Sequence, residues 1–276
     1  DRNTRFVFVS FRGLDKIKKL SNIEIISHSR MFYIPWRLFG IGSFLNSCIS
    51  LIPVLNKFNL VNLVIARPTI KSTNPSLSII IPTQNEKGNI QNALDRIPAF
   101  ECDVEVIFVE GKSSDGTWEE IERVSNLECF KNKFRILKFK QPGRGKFDAV
   151  KIGLENASCD LLTILDADLT MPPESLPLFY NAYCSGRADF INGSRLVYPM
   201  EKKAMRPLNF IGNKFFAKAL SFILSTPLSD SLCGTKMFSK RDYEKMKLWR
   251  SDFGDFDPYG DFELLFSAAV LELGVI

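Results

Sequence analysis

Leu161-Leu162-Thr163-Ile164-Leu165-Asp166-Ala167-Asp168-Leu169-Thr170 is an apolar run that ends on two carboxylates one residue apart. A short continuous apolar run of this kind suits a strand buried on both faces, and such strands belong to parallel sheets covered by helices. The same pattern recurs upstream. Leu77–Ile81 is apolar and stops at Pro82, Val104–Val109 is the next such run, and Ile136–Phe139 is a shorter one. Between them lie helical spacings. Ile90, Ala93, Leu94 and Ile97 recur at i, i+3, i+4 and i+7, and Phe147, Val150 and Leu154 mark another helix. Thr117-x-x-Glu120 has the form of a capping box, with Trp118 and Ile121 on the apolar side of its helix. Leu176, Phe179, Tyr180 and Tyr183 give a further helix, and Phe190-Ile191 leads to Gly193. Strands and helices taking turns predict an α/β domain with a mostly parallel sheet and helices on both faces.

In such sheets ligands sit beyond the carboxyl ends of the strands. The residues there are polar in four consecutive cases. They are Pro82-Thr83-Gln84-Asn85-Glu86, Glu110 through Thr117, Gln141 through Lys146, and Asp166 through Thr170. In a strand-like segment residues two apart point the same way, so Asp166 and Asp168 would form a like-charge patch that a cation relieves. Hard oxygen ligands suit Mg²⁺ or Mn²⁺. A solvated acidic turn fits the same spacing. An EF-hand does not, because its sixth loop position is Met171 rather than Gly. The Gly143–Lys146 turn is neither a P-loop nor a dinucleotide fingerprint, since Lys140 and Phe147 break the first and Asp148 the second. Arg144 and Lys146 still suit a diphosphate, or simply a solvated basic turn.

Composition narrows the class. The chain has 276 residues, 45% hydrophobic and 24% charged, which excludes disordered, collagen-like and coiled-coil readings. Its 24 Phe suggest a large aromatic core or a greasy surface. One His, His28, and six Cys without a CxxC pair argue against a zinc cluster, and the scattered thiols read as buried and reduced in a cytosolic protein. The net charge of +5 is uneven, because residues 1–74 hold 11 Lys and Arg against 3 Asp and Glu. A basic segment suits an anionic membrane surface, nucleic acid or plain solvent, and RNA-binding signatures are missing.

Three regions are expected: an N-terminal segment over 1–66, a linker over 67–75, and the main domain over 76–276. Residues 1–66 resemble the tail of a class I methyltransferase, although no cofactor motif lies there. Leu38 to Asn56 carries no charge, but its polar residues and glycines favour a packed or interfacial segment over a membrane span. Leu60–Ala66 reads as a buried strand. The chain begins at Asp1 rather than Met and ends at Gly274-Val275-Ile276, which reads like the start of another buried strand. It is therefore expected to be a piece of a longer protein.

Taken together, the strand-end motifs resemble those of the family 2 glycosyltransferases with the GT-A fold, near the dolichyl-phosphate mannose synthase branch. The stretches that carry the resemblance are Ser78 through Glu86, Ser113-Ser114-Asp115-Gly116-Thr117, Gly145-Lys146, Ile164 through Leu169, Gly193-Ser194-Arg195, and Asp230-Ser231-Leu232-Cys233-Gly234-Thr235-Lys236. They span most of residues 76–276 in the family's order. The resemblance implies the GT-A (nucleotide-diphospho-sugar transferase) fold and a nucleotide-sugar donor bound across the strand ends. Pro82, Thr83, Asn85 and Glu86 would line the nucleotide pocket, and Glu110 would replace a family Asp at the base or ribose. Asp166 and Asp168 would hold Mg²⁺ or Mn²⁺ on the diphosphate, with Lys146 beside it. Arg195 and Lys236 would face the acceptor. The family's usual second-strand turn has two Asp followed by Gly and Ser, and here the second Asp is Gly111.

The expected activity is metal-dependent, inverting transfer of a sugar to a polyprenyl phosphate, in the cytoplasm or at the cytoplasmic face of a membrane. Such an acceptor is already ionised, whereas a hydroxyl acceptor needs a base. Asp230 and Asp261 are the carboxylates proposed for that role, with helix or turn capping as the structural alternative. Leu208, Ile211, Phe215, Ala219 and Phe222 form a stripe that suits either a membrane surface or the core. Two other functions stay open: a glycosyltransferase with a soluble or glycan hydroxyl acceptor, and a non-catalytic nucleotide-sugar-binding domain. No nucleic-acid partner is expected.

Overall fold

The computed structural model describes residues 23–31, 61–68, 72–194, 218, 220–221, 233–253 and 260–276. Contacts divide the chain into two units, Asp1–Ile70 and Lys71–Ile276. In the first unit β1 (Ile23–Met31) pairs antiparallel with β2 (Val61–Pro68), with a bulge between Ile25 and Ser27. The strand expected over 60–66 is present but not buried, because Val61 and Leu63 are exposed. A two-stranded ribbon does not cover both of its own faces. Arg67 and Pro68, read as linker, are the last residues of β2.

The second unit follows the alternating pattern. Its elements are β3 (Leu77–Thr83), α1 (Lys87–Arg96), β4 (Val104–Glu110), α2 (Thr117–Ser125), α3 (Glu128–Lys131) and β5 (Arg135–Lys140). Then come α4 (Lys146–Asn156), β6 (Leu161–Ile164), α5 (Leu176–Cys184), β7 (Phe190–Asn192), β8 (Lys236–Ser239), α6 (Lys240–Phe253) and α7 (Asp261–Val270). The sheet order is β5-β4-β3-β6-β8-β7. Strands β5, β4, β3 and β6 run parallel, and β8 runs antiparallel to both of its neighbours.

Side-chain alternation along each strand splits the core in two. Ile79 and Ile81 of β3 join Val106, Phe108, Ile90, Leu94, Ile121 and Val124 on one face. Ile80 joins Ile107, Val109, Phe147, Val150, Leu154, Leu162 and Phe238 on the other. Helix α4 comes close to β3 because position 153 is glycine: a Cβ there would stand 2.3 Å from Ile80 Cγ2. Phe108, Phe147, Phe190 and Phe238 are among the phenylalanines buried in this core. At the free edge, β5 exposes Arg135, Lys138 and Lys140, charges that discourage pairing with another strand.

Several local expectations change. The capping box does not form. Gly116 in the left-handed region is the N-cap of α2, and Thr117 is its first helical residue. Asp115 Oδ1 instead accepts the Thr117 N–H at 3.0 Å, while Glu120 pairs with Arg123. Asp261 likewise stands one residue inside α7, with Gly260 as the cap. Cys159 and Cys233 are buried as expected, but Cys129 is exposed. Val275 does pair with Phe190 in a parallel bridge. The apolar stripe Leu208, Ile211, Phe215, Ala219 and Phe222 lies outside the described residues. No helix among the described residues is long and apolar enough to cross a membrane.

Candidate functional site

The parallel register brings the strand ends level. Thr83 is opposite Glu110, and Glu110 is opposite Lys140. The loops that follow are stitched together by hydrogen bonds. Asn85, left-handed at φ 56°, donates its N–H to Ser113 Oγ at 2.9 Å and accepts the Ser114 N–H through Oδ1 at 2.9 Å. The Glu86 N–H reaches Thr117 Oγ1 at 3.0 Å, and the Lys87 N–H reaches Asp115 Oδ2 at 3.1 Å. Pro82 is half-buried, and Thr83 is buried, with its hydroxyl directed to the Val109 carbonyl at 3.3 Å. The Glu86 carboxylate accepts the Asn89 side-chain amide at 2.7 Å.

Glu110 turns inward. Its side chain is buried and accepts the Ser113 N–H, so it shapes the loop at this edge. Gly111 beside it has a steric reason. A Cβ at that position would lie 2.8 Å from Gln141 Oε1, and Gln141 is itself buried and donates through Nε2 to the Gly145 carbonyl at 2.8 Å. A side chain at 111 would require the Gln141 amide, which bonds the Gly143–Lys146 turn, to shift. Gln141 and Gly234 border this site, although the stretches that contain them, 141–146 and 230–236, gave neither a role of its own. For Gln141 the sequence signal is its place at the head of the polar stretch beyond the third strand.

The charged centre sits at the third and fourth strand ends. Strand β6 stops at Ile164, so Asp166 and Asp168 lie in a turn rather than on one strand face. Strand alternation does not set their directions. Leu169 is left-handed at φ 55°, the Leu169 N–H closes on the Asp166 carbonyl, and the Thr170 N–H donates to Asp168 Oδ1 at 3.0 Å. Asp166 is half-buried and Asp168 is exposed. Lys146 Nζ, on the first residue of α4, stands 2.6 Å from Asp166 Oδ1. Gly234 covers the pair, since a Cβ there would lie 2.2 Å from Asp166 Oδ2 and 2.5 Å from Lys146 Nζ. Burial works against the Lys146 charge, but Asp166, Asp261 and Asp168 outweigh it and hold the ammonium above its ordinary value.

Lys236 and Asp261 are placed differently from the expectation. Lys236 is wholly buried, donating to the Cys233 carbonyl at 2.5 Å and to Asp261 Oδ1 at 2.9 Å. An ammonium committed to two partners inside the protein does not face an open acceptor side. Asp230 and Arg195 lie outside the described residues.

The donor set fits a hard divalent cation. Two carboxylates at one turn, close to a lysine, match the way Mg²⁺ and Mn²⁺ take one or two protein carboxylates and complete their shell with phosphate and water. Among the described residues no group of three or more His, Cys, Asp or Glu forms a cage for a metal.

The sequence profile described as glycosyl transferase family 2 matches residues 78–247, more than half of the chain. The chain belongs to that family. A curated family 2 relative, the low-salt glycan biosynthesis hexosyltransferase Agl6 of Haloferax volcanii, is 30% identical over 176 residues, covering 62% of this chain and 40% of that protein. The dolichol-phosphate mannosyltransferase of Pyrococcus furiosus is 34% identical over 123 residues, covering 44% of this chain and 33% of that protein. The chain thus spans a third to two fifths of these relatives' lengths. Glucosyl-3-phosphoglycerate synthase from Mycobacterium tuberculosis, solved with Mn²⁺, UDP and glucosyl-3-phosphoglycerate, superposes with a TM-score of 0.52 at 19% identity. It covers 73% of this chain and 68% of its own. That likeness establishes the GT-A fold. The family 2 match runs from β3 into α6 and so includes every strand end described above.

Proposed function

We propose that this family 2 chain is a metal-dependent, inverting glycosyltransferase that moves a sugar from a nucleoside-diphosphate donor to a polyprenyl phosphate at the cytoplasmic face of a membrane. The observation that carries the reading is the convergence of Lys146, Asp166 and Asp168 beyond the ends of parallel strands. A diphosphate leaving group needs positive charge at that place. Lys146, held fully charged, provides it without a proton transfer. Asp166 and Asp168 would hold Mg²⁺ or Mn²⁺, which supplies Lewis-acid neutralisation of the diphosphate when bound. The loops carrying Pro82, Thr83, Asn85 and Glu86 would receive the nucleoside, with Glu110 fixing their shape from inside.

A phosphate acceptor is the reading that asks for no base from the protein. Transfer passes through an oxocarbenium-like state, and a single displacement on the face opposite the leaving diphosphate inverts the anomeric carbon. A hydroxyl acceptor requires a base there. Asp261 spends its Oδ1 on the buried Lys236, and Asp230 lies outside the described residues. A phosphate oxygen is already anionic near neutral pH and attacks without help. The polyprenyl phosphate class also agrees with the relative named for dolichol phosphate. The buried Gln141 beside Gly111 supports a packed position there, consistent with an active enzyme.

The test is transfer from UDP- and GDP-hexoses to dolichyl phosphate, with dolichol as the hydroxyl control. Transfer to the phosphate alone is expected. Equal transfer to dolichol would contradict the acceptor assignment.

A further inference from the structure

We propose that Lys146 is a stand-in cation, holding Asp166 in the place of the divalent metal until the donor diphosphate draws the lysine away. The proposal rests on the metal reading given above and deepens it. Lys146 Nζ lies 2.6 Å from Asp166 Oδ1, and the backbone at Gly234 closes over Asp166 Oδ2 and Lys146 Nζ together. The carboxylate is therefore enclosed on one side and neutralised on the other. A divalent cation approaching Asp166 meets an ammonium already in contact with the ligand oxygen. Two cations on one carboxylate repel at this distance and are only partly screened, because both side chains are three-quarters buried.

Relief comes from the donor. Lys146 begins α4 on a flexible four-carbon stem, and a diphosphate offers its ammonium a second anionic partner. Once the lysine turns to phosphate, Asp166 is free for the metal. Of the other carboxylates near Lys146, Asp261 already has Lys236 at 2.9 Å, and Asp168 is the exposed second candidate ligand of the metal. Metal and nucleotide then favour each other's binding through one side chain. By linkage each raises the affinity of the other by the same factor.

Mn²⁺ binding to the folded protein reads this directly, by electron paramagnetic resonance of free Mn²⁺ with and without UDP or GDP. The probe variants are Lys146→Met and Lys146→Gln, with Lys146→Arg as the charge-preserving control and thermal unfolding to confirm structure. Without nucleotide, the two neutral variants should bind Mn²⁺ at least about fivefold tighter than wild type. The gain in Mn²⁺ affinity that nucleotide produces should shrink in both, and Lys146→Arg should resemble wild type. Adding Asp166→Asn to Lys146→Met should remove the tight binding. If the neutral variants bind Mn²⁺ no more tightly than wild type, or if Asp166→Asn leaves their binding intact, the stand-in role is overturned while the glycosyltransferase reading stands. If none of the proteins binds Mn²⁺, with or without nucleotide, the metal reading falls and the stand-in role falls with it.

Discussion

Lys236 Nζ and Asp261 Oδ1 form an ion pair 2.9 Å long in which the lysine has no exposed surface. The pair ties the first residue of β8 to the first residue of α7, two elements far apart in sequence. It also encloses Lys236, which the resemblance assigns to the acceptor side, and engages Asp261, a candidate base.

Breaking this pair by removing one partner leaves a charge without compensation, at a cost of about 3–5 kcal/mol. Lys236→Met should lower unfolding stability by that amount in urea titration. The double variant Lys236→Met/Asp261→Leu should lose less than the two single variants combined. A Lys236→Met protein within about 1 kcal/mol of wild type would show that the pair is not a structural tie.

Two glycines separate packing from site geometry. Gly153 and Gly234 both stand where a Cβ would come within 2.3 Å of a neighbouring side-chain atom. Overpacking of this sort costs about 1–3 kcal/mol. Gly153→Ala presses on Ile80 in the core, so it should destabilise the fold while leaving metal-dependent nucleotide binding intact. Gly234→Ala presses on Asp166 and Lys146, so it should weaken that binding at least as much as it lowers stability. Calorimetric titration alongside thermal unfolding checks both.

Restoring the family's second Asp should not help. Gly111→Asp pushes a side chain into Gln141, whose Oε1 is 2.8 Å from the new Cβ. The expected outcome is a less stable protein with weaker nucleotide binding. Gly111→Asp combined with Gln141→Ala should recover part of the stability, as read from unfolding midpoints.

Thiol chemistry offers an independent check on the packing. Burial pushes the Cys102 and Cys184 thiols above the ordinary value, and Cys159 and Cys233 are enclosed, whereas Cys129 is exposed. Thiolate is the reactive form. At pH 7.5 iodoacetamide should therefore modify Cys129 before these four cysteines, as peptide mass mapping will show. Because the raised thiols lose their protons later, labelling of Cys102 and Cys184 should rise only as the pH passes the usual thiol range.

Much of this was legible in the residues. The apolar runs at 77–81, 104–109, 136–139 and 161–165 each became a strand of the parallel part of the sheet, because their apolar residues pack against the helices on either face. The polar stretches beyond them did collect at one edge. What the pattern did not carry was contact at long range. Thr117-x-x-Glu120 looks like a capping box until Asp115 is seen accepting the Thr117 N–H. Lys236 looks like an acceptor ligand until Asp261, 25 residues away, is found beside it. Gly111 looks like a lost carboxylate, and only Gln141 from the neighbouring strand end explains it. Each of these turns on a partner that sequence spacing does not specify.

The central claim is a metal-assisted nucleotide-sugar site built on Asp166, Asp168 and Lys146. Calorimetric titration of UDP and GDP into wild type and Asp168→Asn, each with and without Mn²⁺, tests it most directly. The account predicts that one nucleotide binds wild type in a Mn²⁺-dependent way and that Asp168→Asn abolishes this dependence in a folded protein. Nucleotide binding that ignores both Mn²⁺ and Asp168→Asn, or no binding of either nucleotide to folded wild type, would contradict it.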